Sequence, residues 1–393
     1  MKYKVVEVIP TLNIGGAESM VRDYCLKIDK EEFDICVVVL TEHKKSPIEK
    51  ALENAGIEVI YLGEQLYNDD RLNYLQRVIR RISRFYYFRS VITSINPNVV
   101  HLHLQIGRYM RMLPLKKMEC RLFLTVHNVP ERFFSIDKND RVKYREYKEV
   151  YRLIHSYGMS LITLHDGLNE ELRRLFDTDN VTTLHNGIRM DKFDPSLYDK
   201  IEERQKLEIG LNDTVIGHVG SMHPQKNHEL ILSIFAEYHK LNPLSKLLLI
   251  GDGDLRDVIV RRIDVLGLGN HVIILSNRGD VPALMSTMDV FLFPSRWEGF
   301  GNVMIEAQCM NLPCVVSDAV PIETRVTDRV FVVSLDSEVD IWVRELEDAL
   351  NGLIGSDIIA SKDNYDMQNC VHKLEKIYRG KSGEIDDCYS VDR

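Results

Sequence analysis

The densest run of chemically able residues is Phe293-Pro294-Ser295-Arg296-Trp297-Glu298-Gly299-Phe300-Gly301-Asn302-Val303-Met304-Ile305-Glu306-Ala307. An apolar stretch ends, a glycine-flanked loop turns, and a helical pattern starts near Asn302. A helix beginning there aims unpaired backbone N–H groups, and the positive end of its dipole, beyond the strand end, which suits an anion. Glu298 stands on the loop, and Glu306 lies one helical turn past Asn302 on the same face. One carboxylate can meet a sugar and the other can accept hydrogen bonds from ribose hydroxyls. The apolar neighbours Val303, Met304, Ile305 and Ala307 weaken the view that Glu306 is merely solvated.

Further candidates also follow apolar runs. Gly220-Ser221-Met222-His223-Pro224-Gln225-Lys226-Asn227 precedes a helix expected from about His228, and an ammonium beside helix N–H groups makes a diphosphate site. Gly251-Asp252-Gly253-Asp254 has a D-x-D spacing suited to a divalent ion on a diphosphate. Two glycines at a strand exit more simply make a turn and helix cap, and the turn is the preferred reading. Gly15-Gly16-Ala17-Glu18 either lets backbone N–H groups approach a phosphate or makes a tight strand-to-helix turn. It is neither G-x-G-x-x-G nor a Walker A loop, so neither dinucleotide redox chemistry nor ATP hydrolysis is indicated. His127, at a strand exit, is a hydrogen-bonding residue of the crevice or a structural histidine. His101 and His103 alternate along one strand and share a face. They could pair on a metal, but the sequence suggests no third ligand, and no metal site is assigned.

The elements that must carry these loops are short β-branched runs separated by helix-compatible stretches. Runs at 5–9, 35–40, 57–62, 99–104, 122–126, 160–164 and 181–184 make one series; runs at 215–219, 246–250, 272–275, 290–293, 314–317 and 330–333 make a second. Near-continuous apolar strands alternating with helices predict parallel sheets covered on both faces, hence an α/β chain of two doubly wound, Rossmann-like domains. Ligands of such sheets bind beyond the carboxyl ends of the strands, where the runs above lie. We expect a first domain over 1–187, a polar linker over 188–212, a second domain over 213–370, and a helix and acidic tail over 371–393, the helix returning towards the first domain. Trp342, Leu346, Ala349 and Leu350, and later Cys370, Leu374 and Tyr378, form helical stripes.

Length and composition agree: 393 residues, 45% hydrophobic and 28% charged, describe two soluble globular domains. Seven cysteines without a C-x-x-C pair indicate neither a disulfide framework nor structural zinc, and a reducing cytoplasm fits. Glu7 sits where a signal peptide's apolar core would be, which argues against export, and no stretch is apolar enough to span a membrane. Net charge −9 argues against a nucleic-acid binder. That total combines a 71–118 block with ten basic residues and no acid and a remainder of −19. Within the block, Leu72, Leu75, Ile79, Ile82 and Tyr86 form an apolar stripe beside Arg77, Arg80, Arg81 and Arg84. This is the pattern of a helix on an anionic membrane and equally of a helix packed on its own sheet.

The P-S-x-x-E-G-F-G-N-x-x-x-E-A run, with seven residues between Glu298 and Glu306, resembles the signature of family 4 retaining glycosyltransferases with the GT-B fold, two domains facing across a cleft. Gly15-Gly16, His127, Asn186-Gly187, Lys226 and Gly251-Asp252-Gly253 are similarly placed, so the resemblance spans nearly the full length. Its style is that of bacterial transferases building capsular polysaccharide or exopolysaccharide. The resemblance implies transfer of a hexosyl unit from a nucleotide-diphosphate sugar, expected to be UDP-linked, to a glycan or lipid-linked acceptor, without metal or other cofactor. It implies that Gly15 and Gly16 lie near the diphosphate, that His127 bonds the transferred sugar, and that Lys226 with the backbone of Gly301 and Asn302 holds the leaving diphosphate. Glu298, with Gly299 and Phe300 beside it, would serve the sugar and Glu306 the ribose. Gly253 would join the donor site, and Arg278 falls where the family's base pocket begins. Ser221 departs from the pattern, since many members carry arginine there; either Lys226 bears more of the diphosphate, or Arg296 or Arg278 compensates. A sugar-nucleotide epimerase, which would convert donor alone, and a non-catalytic sugar-nucleotide sensor are the competing readings. The family's membrane-borne acceptors favour the membrane reading of the basic stripe, hence a cytoplasmic protein peripheral on the inner face of the membrane.

Overall fold

The β-branched runs do form strands. The computed structural model describes residues 2–380, leaving out Ile14, Glu42 and residues 64–73, and the side chains of residues 74–81. Seven strands make the first sheet: β1 (Tyr3–Ile9), β2 (Phe33–Val39), β3 (Glu58–Tyr61), β4 (Val99–His103), β5 (Arg121–Thr125), β6 (Ser160–Thr163) and β7 (Val181–Thr183), in the order β3-β2-β1-β4-β5-β6-β7. Six make the second: β8 (Thr214–Val219), β9 (Ser245–Ile250), β10 (Val272–Leu275), β11 (Val290–Phe293), β12 (Cys314–Ser317) and β13 (Val330–Val333), in the order β10-β9-β8-β11-β12-β13. All pairings are parallel, as expected for strands buried on both faces.

Alternation divides each sheet between two cores. Val6, Val8, Val38, Val100 and Leu102 face one side of the first sheet, and Val5, Ile9, Val37 and Val99 the other. In the second, Ile216, Leu247, Leu249 and Leu292 oppose Val215, Leu248, Phe291 and Phe293. Strand order reverses between β1 and β4 and again between β8 and β11, and at such switch points the loops diverge to leave a crevice.

The chain divides into two compact units, Met1–Gly187 with the helix Met367–Arg379, and Ile188–Asp366. The helix Met367–Arg379 buries Cys370, Val371, Leu374, Ile377 and Tyr378 in the first unit's core. The charged stretch 188–212 read as a linker is counted with the second unit, for a specific reason. Its helix Lys200–Lys206 carries Arg204, 4% exposed, whose guanidinium donates to the carbonyls of Thr287, Leu211 and Asp213 and to Asp289.

The basic stripe falls on the helix Tyr74–Ile95. Phe88, Val91 and Ile92 face the core, whereas Ile82, Tyr86 and Tyr87 are 50, 60 and 49% exposed. The described part of the expected apolar stripe, Ile82 and Tyr86, therefore does not pack on the sheet. Leu72 and the side chains of Leu75, Arg77, Ile79, Arg80 and Arg81 lie outside the described residues. Among the described residues no helix is long and apolar enough to cross a membrane, and six cysteines are free thiols.

Candidate functional site

The second unit assembles its site from the two loops leaving its switch point. After β8 the chain passes through the short turn Pro224–Lys226, Asn227 takes φ +55°, and the helix His228–Leu241 begins. After β11, Gly301 takes φ +90°, in the left-handed region that favours glycine, and starts the helix Asn302–Cys309, which no side chain caps.

The loops meet at Lys226 and Glu298. Lys226 Nζ lies 2.6 Å from Glu298 Oε1, and Gln225 Nε2 donates to Glu298 Oε2 at 3.0 Å. The Arg296 amide donates to Gln225 O at 2.8 Å and its guanidinium to Asn227 Oδ1 at 3.1 Å. The ion pair is sheltered, with side chains 12 and 5% exposed, and the ammonium stands 4.5 Å from the centre of the Phe293 ring, where the π face stabilises a cation. Such a buried pair adds little net stability, because desolvation offsets attraction. It does hold a cation in a low-dielectric site, where an arriving anion gains the most. Beneath it, His218 and His228 are 0 and 3% exposed. Burial and then the Lys226 charge push His228 down to about 4; burial and then His228 push His218 well below its usual value. Lys226 therefore has neutral rings beneath it.

Backbone contact fixes the lysine loop. Gly251 and Gly253 have φ +153° and +157°; a Cβ at Gly251 would meet Gly220 O at 2.0 Å, and one at Gly253 would meet Met222 O at 2.7 Å. Met222 N donates to Asp252 O at 2.8 Å and Leu255 N to Met222 O at 3.0 Å. The Asp252 carboxylate accepts from Gly253 N at 2.8 Å, a local turn, and the Asp254 side chain is 95% exposed.

The remaining candidates are placed as follows. Gly299 and Phe300 are buried, the Phe300 ring 5.4 Å from that of Tyr365, so it packs the base of the loop. Asn302, Val303 and Glu306 share the partly exposed side of their helix, while Met304, Ile305, Ala307 and Gln308 are buried. Ser221 is exposed. Arg278 is held by both carboxylate oxygens of Asp280 and does not join the lysine cluster.

In the first unit, Gly15 is extended and Gly16 opens the helix Gly16–Lys27. A Cβ at Gly15 would meet Glu18 Oε2 at 2.3 Å, while Gly16 faces open space. Glu18 accepts from Thr11 Oγ1 at 2.9 Å, and burial raises its pKa. His127 is partly exposed, and its Nε2 lies 2.9 Å from His103 Nδ1. His103 Nε2 lies 2.7 Å from Glu7 Oε2, and the Tyr378 hydroxyl donates to Glu7 Oε1 at 2.6 Å. Sequence reasoning missed Glu7, Gln225 and Tyr378. The third donor absent from the reading of His101 and His103 is Glu7, one strand away, where β1 and β4 pair Glu7 with His101. Donor atoms of Glu7, His101 and His103 lie within 4.8 Å of one another. The signal was present: a glutamate amid Val5, Val6, Val8 and Ile9 needs a buried partner.

Residues 14–192 match the model of Glycosyltransferase Family 4, and residues 199–352 that of Glycosyl transferases group 1. The putative glycosyltransferase EpsF of Bacillus subtilis is 27% identical over 87% of this chain and 86% of its own. The UDP-Gal:alpha-D-GlcNAc-diphosphoundecaprenol alpha-1,3-galactosyltransferase of Escherichia coli is 30% identical over 49% of this chain and 51% of its own. The fold matches HepE of Anabaena, solved in complex with UDP and glucose, with a TM-score of 0.69 at 17% identity over 99% of this chain and all of that one. A Rickettsia africae glycosyltransferase matches with a TM-score of 0.71 at 18% identity over 97% and 98%.

Proposed function

We propose that this chain, which belongs to glycosyltransferase family 4, moves a hexosyl unit from a UDP-sugar to a glycan or lipid-linked saccharide acceptor, retaining anomeric configuration and using no metal. The Lys226–Glu298 pair at the β8/β11 switch point carries this reading. Cleaving a sugar–diphosphate bond leaves negative charge on the departing oxygen, and a preorganised cation beside a helix N-terminus stabilises that charge as it develops. Lys226 and the start of the helix Asn302–Cys309 are those groups, and Glu298, released from the lysine, accepts hydrogen bonds from sugar hydroxyls. Arg296 is the second cation that Ser221 does not supply: it is anchored to the residues on either side of Lys226, whereas Arg278 is committed to Asp280. Retention follows if the departing phosphate oxygen takes the acceptor proton on the same face, with no protein base. A metal's task of neutralising charge falls to these cations and amides, and the Asp252 carboxylate is engaged by its own turn.

The names of relatives support the finer parts. The E. coli relative is named for a UDP-Gal donor and a diphosphoundecaprenol acceptor, and capsular polysaccharide synthesis is in the name of CapM of Staphylococcus aureus, 32% identical over 48% of this chain. A cytoplasmic enzyme resting on the inner face of the membrane meets such an acceptor, and free thiols suit that compartment.

A thermal-shift screen of UDP- and GDP-sugars identifies the donor, since a bound ligand stabilises the fold by mass action. With that donor, Lys226→Ala is expected to lower turnover about 10²- to 10³-fold while the chain stays folded. Wild-type turnover in the variant refutes the reading, and an inverted product anomer refutes retention.

A further inference from the structure

The first unit contains a buried hydrogen-bonded run that the chemistry above does not use. Glu7, His101, His103 and Thr125 are 0 to 1% exposed. Besides the contacts of Glu7 with Tyr378 and His103, His101 Nδ1 lies 2.7 Å from the Tyr378 hydroxyl and His101 Nε2 lies 2.7 Å from Thr125 Oγ1. His127 Nε2 ends the run at His103 Nδ1, and the other nitrogen of His127 has no hydrogen-bond partner among the described residues.

With Glu7 ionised and the buried imidazoles neutral, one arrangement of protons satisfies every contact. An ionised carboxylate only accepts, so Tyr378 gives its proton to Glu7 Oε1, and His103 carries a proton on Nε2 towards Oε2. Tyr378 has no second proton, so its oxygen accepts from His101 Nδ1–H, and His101 Nε2 accepts from the Thr125 hydroxyl. A neutral His103 protonated on Nε2 has a bare Nδ1, and the proton in the 2.9 Å contact then belongs to His127 Nε2. Charge states agree. Burial would raise the Glu7 carboxyl, but its hydrogen-bonding imidazole neighbours hold it well below the usual carboxylate range, so it only accepts. Burial pushes His103 down to about 4, so its ring is neutral at neutral pH.

We propose that Glu7 and His103 are positioning residues that fix His127 as its Nε2–H tautomer, so that its Nδ1 is a neutral acceptor for a ligand hydroxyl and offers no proton to a phosphate. The tautomer stands on this geometry and on a buried, neutral His103; only the identification of that hydroxyl as a saccharide's rests on the transferase reading.

Nitrogen-15 NMR of the full chain labelled in histidine tests it, with His127→Gln assigning the resonances. At neutral pH the wild-type His127 ring is expected to show a protonated Nε2 and a bare Nδ1, and inorganic phosphate is expected to leave it so. In His103→Phe, which removes the acceptor, His127 is expected to divide between both tautomers. A wild-type ring protonated on Nδ1, a ring that phosphate protonates there, or a folded His103→Phe chain with His127 unchanged overturns the proposal. The wild-type spectrum decides even if the variant fails to fold. It is read without donor or acceptor, so the tautomer and the transferase reading can fail separately.

Discussion

Four histidines, His103, His127, His218 and His228, are held below their ordinary pKa, in each case chiefly by burial. In the unfolded chain they take up protons near pH 6.5, whereas in the folded chain His103 and His228 do so only near 4. Between those values the unfolded state binds more protons, so stability falls as pH falls. Glu7 acts in the same direction: its depressed pKa gives stability that is complete above the ordinary carboxylate value and is lost on acidification below it. We expect the unfolding free energy to drop between pH 7 and pH 5, by up to about 2 kcal/mol for each fully buried neutral histidine, and the urea midpoint to drop with it. An unchanged midpoint over that range shows that these rings are not held neutral. In the fold Glu7 anchors a buried polar run.

At the scale of elements, the turn after β9 and the loop after β8 touch backbone to backbone. Gly251→Ala would put a Cβ 2.0 Å from Gly220 O at a φ that L side chains rarely adopt. Because that carbonyl cannot swing aside as a flexible side chain can, the variant is expected to lose about 2 kcal/mol or more in urea unfolding. A melt like that of the wild type refutes the contact. The proposed membrane contact rests on the helix Tyr74–Ile95, where Ile82, Tyr86 and Tyr87 are exposed beside a basic sequence. Anionic vesicles are expected to sediment the protein at low salt, and Arg77/Arg80/Arg81/Arg84→Ser to weaken that binding by about 1 kcal/mol per charge. If the quadruple variant sediments like the wild type, this surface is not the docking site.

At the scale of the molecule, the chain closes its first unit with its last described helix. Met367–Arg379 buries Met367, Cys370, Val371, Leu374, Ile377 and Tyr378, and at about 1.5 to 3 kcal/mol per large apolar side chain this rivals the whole stability of a domain. A chain ended at Asp366 is therefore expected to lose the first unit's melting transition and keep that of the second, Ile188–Asp366; two intact transitions refute it. The sequence by itself determined the strands to within about two residues, the two parallel sheets, and the exits carrying Lys226 and Glu298, because apolar period and glycine placement are local properties. Tertiary structure alone decided which exits become neighbours. Strand order sets β8 beside β11 and so brings Lys226 to Glu298 across 71 intervening residues, and it sets β1 beside β4 and so gives His103 its carboxylate. It also separated the two candidate arginines, tying Arg296 to the lysine loop and Arg278 to Asp280. Each of these is a contact between residues distant in the chain, set by how strands are ordered across a sheet and therefore absent from any local pattern of residues.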